Sequence, residues 1–561
     1  MKSTTAAENK VRKEIRWGGE IADPQEPRIS CIKLFLDRDQ KLPEFVDVKT
    51  IFKQLVKARR TPVAAAADFL HKVITFVLDD LNARYTEDFM KSTPIEYVMT
   101  VPAIWSDAAK DATKKAAQLA GITGPLKMIS EVSFRFLVLS LCVLTSHKPE
   151  AAAIWTLEAI KLNGLSLVPG DNIVVCDAGG GTVDLISYRL IGLEPFEIRE
   201  STVGTGDVCG GAILNCRFES MMRTRFGEES FAKFQEDMPH VWQDALQRFE
   251  EYVKPQFGAS TMQTYTIPFP GMPDNPEAGI RGGYLKLKSD EVKALFDPVI
   301  DQIIKLVEDQ VTAVRDNYEK VAAIACVGGF GQSKYLFSRL RSHFQSELPP
   351  AYTPTKPKAR ASAVHDADRA SIKVLQPPEG VTACMRGAIV SGLRNTIVTE
   401  RKSRYHYGVK MSSIFKPGKH LEANKYWDKY DEKFRARDVM QWYVAKGEAV
   451  SDKRTVSFPF VLHMDADEIG RPDFTHSNAL MACRENQAPV NKDEDVFKVC
   501  TMESNLSTVP RSEYRKRSSP SGMTYYELSY DLIMIIDSAS IDFKLKMGDK
   551  IYGSVNASFE Q

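Results

Sequence analysis

NIVVCDAGGGTVDLISYRLIG, residues 172–192, consists of an apolar run that ends in an aspartate, three glycines and a second apolar run. This order predicts a buried strand, a tight turn and a second strand. Three glycines let the backbone turn sharply and direct several N–H groups at one point, which is typical of an anion site. We therefore expect a phosphate-binding turn here, with a plain glycine hairpin as the alternative.

Asp177, Thr182 and Asp184 surround this turn and offer polar side chains. A carboxylate at a strand end suits a hydrated Mg²⁺ ion, because this ion keeps most of its waters and takes few protein ligands. We expect Asp177 to hold such an ion through water and the hydroxyl of Thr182 to lie at phosphate distance. Asp184 is expected to support the turn, with a capping role as the alternative.

Two further glycine-rich segments follow strand patterns and precede helix patterns, namely CVGGFGQSK at 326–334 and STVGTGDVCGGAILN at 201–215. Neither segment matches G-x-G-x-x-G, and the chain has no Walker A spacing. One glycine turn of this kind is weak evidence for a binding site, whereas three such turns at strand ends are a far more specific signal. The glycines of the segment at 201–215 are Gly204, Gly206, Gly210 and Gly211.

Length, charge and metal-binding residue types restrict the class of protein. A chain of 561 residues is too long for one compact core, so we expect two to four domains. The formal net charge of +1 gives no general attraction to nucleic acid or to an anionic membrane. Nine cysteines without a C-x-x-C pair indicate a reducing compartment. The nine histidines form no pair at ligand spacing, so the sequence predicts no zinc site.

Targeting signals are weak along the whole chain. The first 17 residues, MKSTTAAENKVRKEIRW, have no apolar core, so we expect no secretory signal. The apolar run at 132–144 includes Arg135 and is shorter than the ~20 residues of a spanning helix. YRKR at 514–517 is a weak nuclear signal, with an exposed basic turn as the alternative. We expect a cytoplasmic monomer, with nuclear residence as a second option, and neither nucleic acid nor membrane as a partner.

The chain changes character near residue 400. Helix and strand patterns alternate before it, which favours an α/β architecture. The segment at 349–370 is rich in proline and polar residues and predicts a surface insertion. After residue 400, aromatic and β-branched runs alternate with turn residues, which predicts a β-rich module.

These motifs resemble a known superfamily of ATPases. DAGGGTVD resembles the second phosphate motif of the Hsp70/actin/sugar-kinase superfamily, and CVGGFGQSKYLFSRL resembles its adenosine motif. QPPEGVTACMRGAIVSGL resembles the second connecting helix between the lobes, and TVPAIWSDAAKDATKKAAQLAG is similar to an Hsp70 pattern. KYWDKYDEKF and QWYVAKGEAV are similar to divergent fungal-type Hsp70-like proteins related to the heat-shock 70 kDa protein 12 group. The resemblance covers nearly the whole chain, although the usual peptide-binding domain and helical lid are not recognisable.

The resemblance implies a two-lobed actin-like ATPase fold with ribonuclease H-like lobes and a β-rich C-terminal extension. The expected parts are lobe I at 1–170, lobe II at 171–375, a connecting helix at 376–400 and a β-rich module at 401–561. It also implies that hydrolysis of Mg·ATP drives closure of the lobes, with client proteins as partners of a chaperone-like activity. The alternatives are a non-catalytic scaffold that binds partners through residues 400–561 and a small-molecule kinase of the same superfamily.

The resemblance also assigns roles to individual residues. Glu131 matches the cleft glutamate that orders the waters of the metal, with an exposed strand-end acid as the alternative. Lys33 in CIKLFLD is placed like the catalytic lysine, with a surface lysine as the alternative. Glu250 and Lys254 are expected on the ribose and adenine side. The expected backbone contacts to the nucleotide are Gly179, Gly180, Gly181, Gly210, Gly211, Gly328, Gly329 and Gly331.

Two departures from the family pattern affect these expectations. Such proteins read ISEPEAAA without interruption, and deleting Val132 to Lys148 restores ISE-PEAAAIWTL. We therefore hypothesise a retained intron at 132–148, because an exposed FRFLVLSLCVL loop, the alternative, would be prone to aggregation.

The glycine/threonine hairpin of the D-F-G-T-T kind is also missing, which implies a truncated lobe I through a misplaced start codon. ATPase activity is expected only if the true gene product contains that hairpin.

Overall fold

The computed structural model describes residues 15–21, 26, 28–37, 42, 46–102, 105–131, 167–193, 196–259, 263–345, 372–383, 385–387, 389, 399–451, 454–469, 471, 474–507, 509–536 and 541–559. The hypothesised intron at 132–148 and the surface insertion at 349–370 lie outside these residues, as does part of the connecting helix at 376–400. The chain divides into two compact units. The first comprises residues 1–105 and 112–397, and the second comprises residues 106–111 and 398–561.

The helices begin and end largely where the sequence signals predict. Thr61 caps one of them by accepting a hydrogen bond from the N–H of Ala64 at 3.1 Å, and Pro62 occupies the first turn. Ser106 accepts from the N–H of Ala109 at 3.2 Å in the same way. In chain order the helices are α1 Val48–Lys57, α2 Pro62–Arg84, α3 Glu87–Ser92, α4 Asp107–Leu119, α5 Ala212–Phe226, α6 Glu228–Asp237, α7 Pro239–Arg248, α8 Ser289–Asp316 and α9 Lys334–Phe344.

Strands of the first unit form a central sheet and two smaller sheets. In chain order these strands are β1 Tyr97–Pro102, β2 Leu126–Glu131, β3 Asn172–Ala178, β4 Val183–Leu193, β5 Phe196–Asp207, β6 Thr264–Pro268, β7 Ile280–Arg281, β8 Tyr284–Lys288, β9 Val321–Val327 and β10 Lys373–Leu375. The strands β1 and β2 pair in parallel, and β6, β8 and β7 form a three-stranded antiparallel sheet.

The central sheet has the order β5-β4-β3-β9-β10. Its first three strands are antiparallel neighbours, whereas β9 runs parallel to both β3 and β10. This arrangement is that of a ribonuclease H-like lobe. Every residue of β3 is buried, since both faces of a central strand are covered. The long helix α8 packs against β3, β4 and β5 and buries one apolar side along its length.

The second unit is built from antiparallel strands. In chain order they are β11 Glu400–Lys402, β12 His406–Ile414, β13 Lys425–Asp428, β14 Lys433–Val444, β15 Ala449–Ser451, β16 Arg454–Met464, β17 Thr475–Cys483, β18 Val496–Asn505, β19 Arg515–Ser518, β20 Thr524–Ile536, β21 Ile541–Met547, β22 Lys550–Ser554 and β23 Asn556–Phe559. One sheet has the order β13-β14-β12-β17-β18-β23, and another has the order β16-β20-β21-β22 with β19 beside β20. Alternate burial along β21 is typical of a sheet with one covered face.

The predicted fold class is confirmed. The first unit is α/β with an apolar core around its central sheet, and the β-rich C-terminal region has an apolar core of its own. The finer division into two lobes and a connecting helix stays a prediction. Within the described ranges no single helix is long and apolar enough to cross a membrane. The helices α1 and α2, which meet at a 75° bend, pass that test together by length and composition only.

Candidate nucleotide-binding site

A four-residue hairpin joins β3 to β4. Ala178 lies opposite Val183 in the strand register, and residues 179–182 form the loop between them. The N–H of Gly179 donates to the carbonyl of Thr182 at 2.9 Å, which closes the loop. The sequence interpretation of this stretch as strand, glycine turn and strand is therefore correct.

The carbonyl groups of this hairpin face the start of α5. Three hydrogen bonds join the two segments, from Gly210 to Gly181 at 3.1 Å, from Gly211 to Gly179 at 2.9 Å and from Ala212 to Gly180 at 2.7 Å. A Cβ atom on Gly210 would lie 2.5 Å from the carbonyl oxygen of Gly180, so only glycine permits this approach.

The N–H groups of Gly180 and Gly181 take no part in these contacts. In the part of the chain that the structure describes, neither group donates to a backbone carbonyl. A Cβ atom built on either glycine meets no other residue within 4 Å, so the space beside the loop is open. The hairpin can therefore present backbone donors to an anion such as a phosphate.

Two buried aspartates and a threonine lie at the base of the hairpin. Asp177 and Asp184 are fully buried and lie directly opposite each other on β3 and β4. Side chains of directly opposite residues project from the same face, where like charges repel. The hydroxyl of Thr182 donates to Oδ2 of Asp184 at 3.0 Å, so Asp184 fixes this side chain as expected. A divalent cation bound near this pair would offset the repulsion.

A second glycine turn follows β9 and lies beside Asp177. Val327 is the parallel neighbour of Asp177, and the next residue, Gly328, has a φ of +83°. A Cβ atom on Gly328 would lie 2.0 Å from Oδ1 of Asp177, so this turn requires glycine for both conformation and space. A Cβ atom on Gly329 meets no other residue within 4 Å, whereas Gly331 lies against the backbone of Cys326.

The structure links Glu250 and Lys254 through a residue that the sequence interpretation did not single out. The amide of Asn215 on α5 donates to Oε2 of Glu250 at 2.6 Å and accepts from Nζ of Lys254 at 3.0 Å. Glu250 lies in the π-helical turn Phe249–Val253, and the two charged groups are 3.7 Å apart. Asn215 was not identified because it closes a glycine-rich segment whose glycines carried the motif.

Phe330 is a second residue that the sequence interpretation missed. It is buried in the turn after β9, and its side chain would contact a Cβ atom on Gly211 at 3.3 Å. The contact packs the turn after β9 against the start of α5. The three glycine-rich segments are thus brought together in the structure.

Lys33 and Glu131 lie in other elements of the first unit. Lys33 belongs to a 3₁₀ turn, Ile32–Phe35, and its ammonium group lies 5.6 Å from the centre of the Trp105 ring. Glu131 is the last residue of β2. The catalytic roles expected for these two residues stay predictions.

Three thiols around the central sheet have pKa values raised above their ordinary range. Burial raises the pKa of Cys216 to about 11 and raises that of Cys209 further. A hydrogen bond with Cys326, together with burial, raises the pKa of Cys176 well above its ordinary value. Because the thiolate is the nucleophilic form, these three cysteines are not poised as nucleophiles.

The donor set fits a nucleotide phosphate with a hydrated magnesium ion. Buried carboxylates and one hydroxyl supply the hard oxygen ligands that Mg²⁺ prefers. Open backbone N–H groups supply hydrogen-bond donors for a phosphate. Glycine at 210 and 328 allows the two loops to approach the hairpin and Asp177 closely. Asp177, Gly180, Gly181 and Thr182 are the groups that would hold such a ligand.

Comparisons with known proteins agree with this geometry. A family model described as Hsp70 protein matches residues 65–351, which is just over half of the chain. Heat shock 70 kDa protein 12A of Mus musculus is 24% identical over 453 residues, which cover 70% of this chain and 61% of the relative. Heat shock 70 kDa protein 12B of Homo sapiens is 23% identical over 62% of this chain and 54% of its own length. Chaperone protein DnaK of Akkermansia muciniphila is 29% identical over 46% of this chain and 35% of its own length.

The chain spans about three fifths of the length of the 12A relatives that it matches, which share 24% identity with it. The family match begins in α2, includes all three glycine turns and ends beyond α9. It therefore contains strands β3, β4, β5 and β9 of the ribonuclease H-like sheet and the hairpin between β3 and β4, whereas β10 lies beyond it. The protein is a member of the Hsp70 family.

Proposed function

We propose that the protein binds Mg·ATP at the hairpin between β3 and β4, and that it hydrolyses ATP if the true gene product contains the D-F-G-T-T-like hairpin. The observation that carries this proposal is the pair of open N–H groups, Gly180 and Gly181, beside the buried aspartates Asp177 and Asp184. Membership of the Hsp70 family supports nucleotide binding as the general class of activity.

The residues at this site would act mainly by positioning. Bound Mg·ATP supplies the phosphoryl group and the divalent charge for an in-line attack by water. Asp177 would hold a water of the metal, and the N–H groups of Gly180 and Gly181 would bind phosphate oxygens. Because Thr182 donates its proton to Asp184, its oxygen keeps its lone pairs for a water hydrogen.

The nucleoside would lie beside α5. Lys254 and Glu250 are held together by Asn215, so a charged donor and an acceptor are oriented by one amide. The hydroxyl groups of a ribose both donate and accept hydrogen bonds, so a donor beside an acceptor suits them. Roles for Lys33 and Glu131 at the phosphates are part of the same proposal.

Closure of the two lobes around the nucleotide would act as a conformational switch. We also propose a chaperone-like activity on client proteins. It is supported by membership of the Hsp70 family and by the relative named as a chaperone. Residence in the cytoplasm and a monomeric state belong to the same proposal.

Hydrolysis is tested by ADP production from the full chain with ATP and Mg²⁺. We expect Asp177→Asn to reduce the turnover number by about 100-fold, since the side chain that holds a metal-bound water beside the reacting phosphates loses its charge. Asp207→Asn is the matched control, because Asp207 is exposed at the end of β5 and bonds to Gln302. Equal turnover in the wild type and Asp177→Asn would refute hydrolysis at this site and leave the scaffold alternative.

We further propose that residues 132–148 derive from a retained intron. The support is the restored ISE-PEAAAIWTL reading when this segment is removed. Sequencing of full-length transcripts tests this proposal, because mature messages are expected to lack codons 132–148. The same transcripts test for an upstream D-F-G-T-T-like hairpin, which stays a prediction.

A further inference from the structure

A separate group of polar side chains lies in the β-rich unit. Asp428 ends β13, Asp431 lies in the turn before β14, and His463 lies near the end of β16. One carboxylate oxygen from each aspartate and one ring nitrogen of His463 lie within 4.8 Å of one another. All three residues are half-buried, and they connect the turn of one sheet to a strand of the other.

The turn holds both aspartates in place. Oδ1 of Asp428 accepts hydrogen bonds from the N–H groups of Tyr430 at 2.9 Å and Asp431 at 3.0 Å. Oδ2 of Asp431 pairs with the guanidinium of Arg435. Each carboxylate therefore keeps one oxygen that makes no hydrogen bond within the described part of the chain, and that oxygen can serve as a ligand.

The imidazole of His463 is positioned by its neighbours. Its ring lies 5.5 Å from the ring of Tyr430 and 5.1 Å from that of Tyr525. Glu527 lies directly opposite His463 on β20, with Oε2 at 3.9 Å from Nε2. An outer carboxylate beside a histidine is a common arrangement in metal sites, where it orients the ring and raises its basicity.

The charges around the group leave a surplus of negative charge. Arg435 offsets Asp431, and Arg517 pairs with Glu527 at 3.1 Å. No salt bridge joins Asp428 to a cationic side chain among the described residues, and its carboxylate lies within 4.8 Å of the ligand atoms of Asp431 and His463. A bound cation would supply the missing positive charge.

We propose that Asp428, Asp431 and His463 bind one divalent transition-metal ion of the zinc class. An imidazole together with two carboxylates suits Zn²⁺ and related ions, whereas Mg²⁺ and Ca²⁺ prefer oxygen ligands alone. Three protein ligands leave at least one position for water. The ion would tie the β13–β14 turn to β16 and stabilise the packing of the two sheets. The sequence analysis predicted no zinc site, because His463 lies 32 or more residues from either aspartate and no ligand spacing links them.

The test uses the full chain after treatment with a chelator and in the absence of nucleotide. We expect one Zn²⁺ ion per chain by equilibrium dialysis, and an increase in the unfolding temperature when the ion is added. His463→Gln and Asp428→Asn should each weaken binding by about 100-fold, and Glu527→Gln by about tenfold. Asparagine at 428 keeps the Oδ1 acceptor for the turn, so this variant removes charge without removing those hydrogen bonds.

Asp467→Asn is the matched control, since Asp467 is a nearby exposed acid that pairs with Arg471. It should bind Zn²⁺ like the wild type. Titration with Co²⁺ identifies the ligands, because nitrogen and oxygen ligands give no thiolate charge-transfer absorption. Unchanged binding in both His463→Gln and Asp428→Asn, a thiolate absorption, or no bound ion in the wild type would each overturn the proposal.

Discussion

At the scale of single residues, the proposed nucleotide site requires glycine at positions where any larger residue would clash. Gly210 and Gly328 bring two loops within contact of the hairpin at positions where a Cβ atom would overlap Gly180 or Asp177. The sequence predicted these turns because glycine clusters follow apolar runs. It did not predict Asn215, because a single amide on a helix forms no sequence pattern. Its role becomes visible only in the structure, where it bonds to both Glu250 and Lys254.

Gly328→Ala should destabilise the protein by about 2 kcal/mol or more, because a positive φ and a steric overlap with Asp177 act together. The measurement is the unfolding free energy by denaturant titration. Gly329→Ala is the control in the same turn, where a Cβ atom meets no other residue and φ is not positive. Equal losses in the two variants would show that the approach of Gly328 to Asp177 is not as close as described.

At the scale of elements, the alternation of strands and helices and the glycine turns follow from the sequence, whereas one helical irregularity does not. The π-helical turn Phe249–Val253 precedes Lys254 and Pro255. Proline has no N–H to donate to the carbonyl four residues earlier, so the helix adjusts its hydrogen bonding near this point. Glu250 lies within this irregular turn, which the spacing of charges alone could not reveal.

Phe218 holds this turn against α5. Its ring is fully buried and stacks on Phe249 at 4.5 Å and on Trp242 at 5.7 Å. Phe218→Ala should cost about 3–5 kcal/mol of unfolding free energy. Phe226→Ala, at a partly exposed position of the same helix, should cost less. A similar loss in both variants, measured by chemical denaturation, would contradict the central position of Phe218 in the core.

His476 on β17 makes the β-rich unit sensitive to acid. Burial lowers the pKa of His476 below its ordinary value of 6.5. The unfolded chain therefore binds more protons than the folded chain between the two pKa values, and stability falls as the pH decreases from about 6.5 through the folded pKa. His476→Gln should reduce the pH dependence of unfolding in this window, whereas Ser477→Ala, an exposed neighbour, should not. An unchanged pH dependence in His476→Gln would contradict this assignment.

At the scale of the whole molecule, the change of composition near residue 400 predicted an α/β part followed by a β-rich part. The structure has two such units, each with its own apolar core. Alternating patterns indicated only an α/β architecture, whereas the ribonuclease H-like order of the central sheet was implied by the resemblance to the ATPase superfamily. The cluster of Asp428, Asp431 and His463 was not predictable, because strand pairing and sheet packing bring together residues that are distant in sequence.

The most direct test of the central claim is the binding of Mg·ATP to the full chain by isothermal titration calorimetry. We expect one site in the wild type that requires Mg²⁺, and a loss of that binding in Gly180→Val. Valine at 180 should fold normally, since a Cβ atom there meets no other residue, but its methyl groups would enter the space beside the hairpin. Circular dichroism of the variant checks its fold. Absence of binding in the wild type, or equal binding in a folded Gly180→Val, would contradict a nucleotide site at this hairpin.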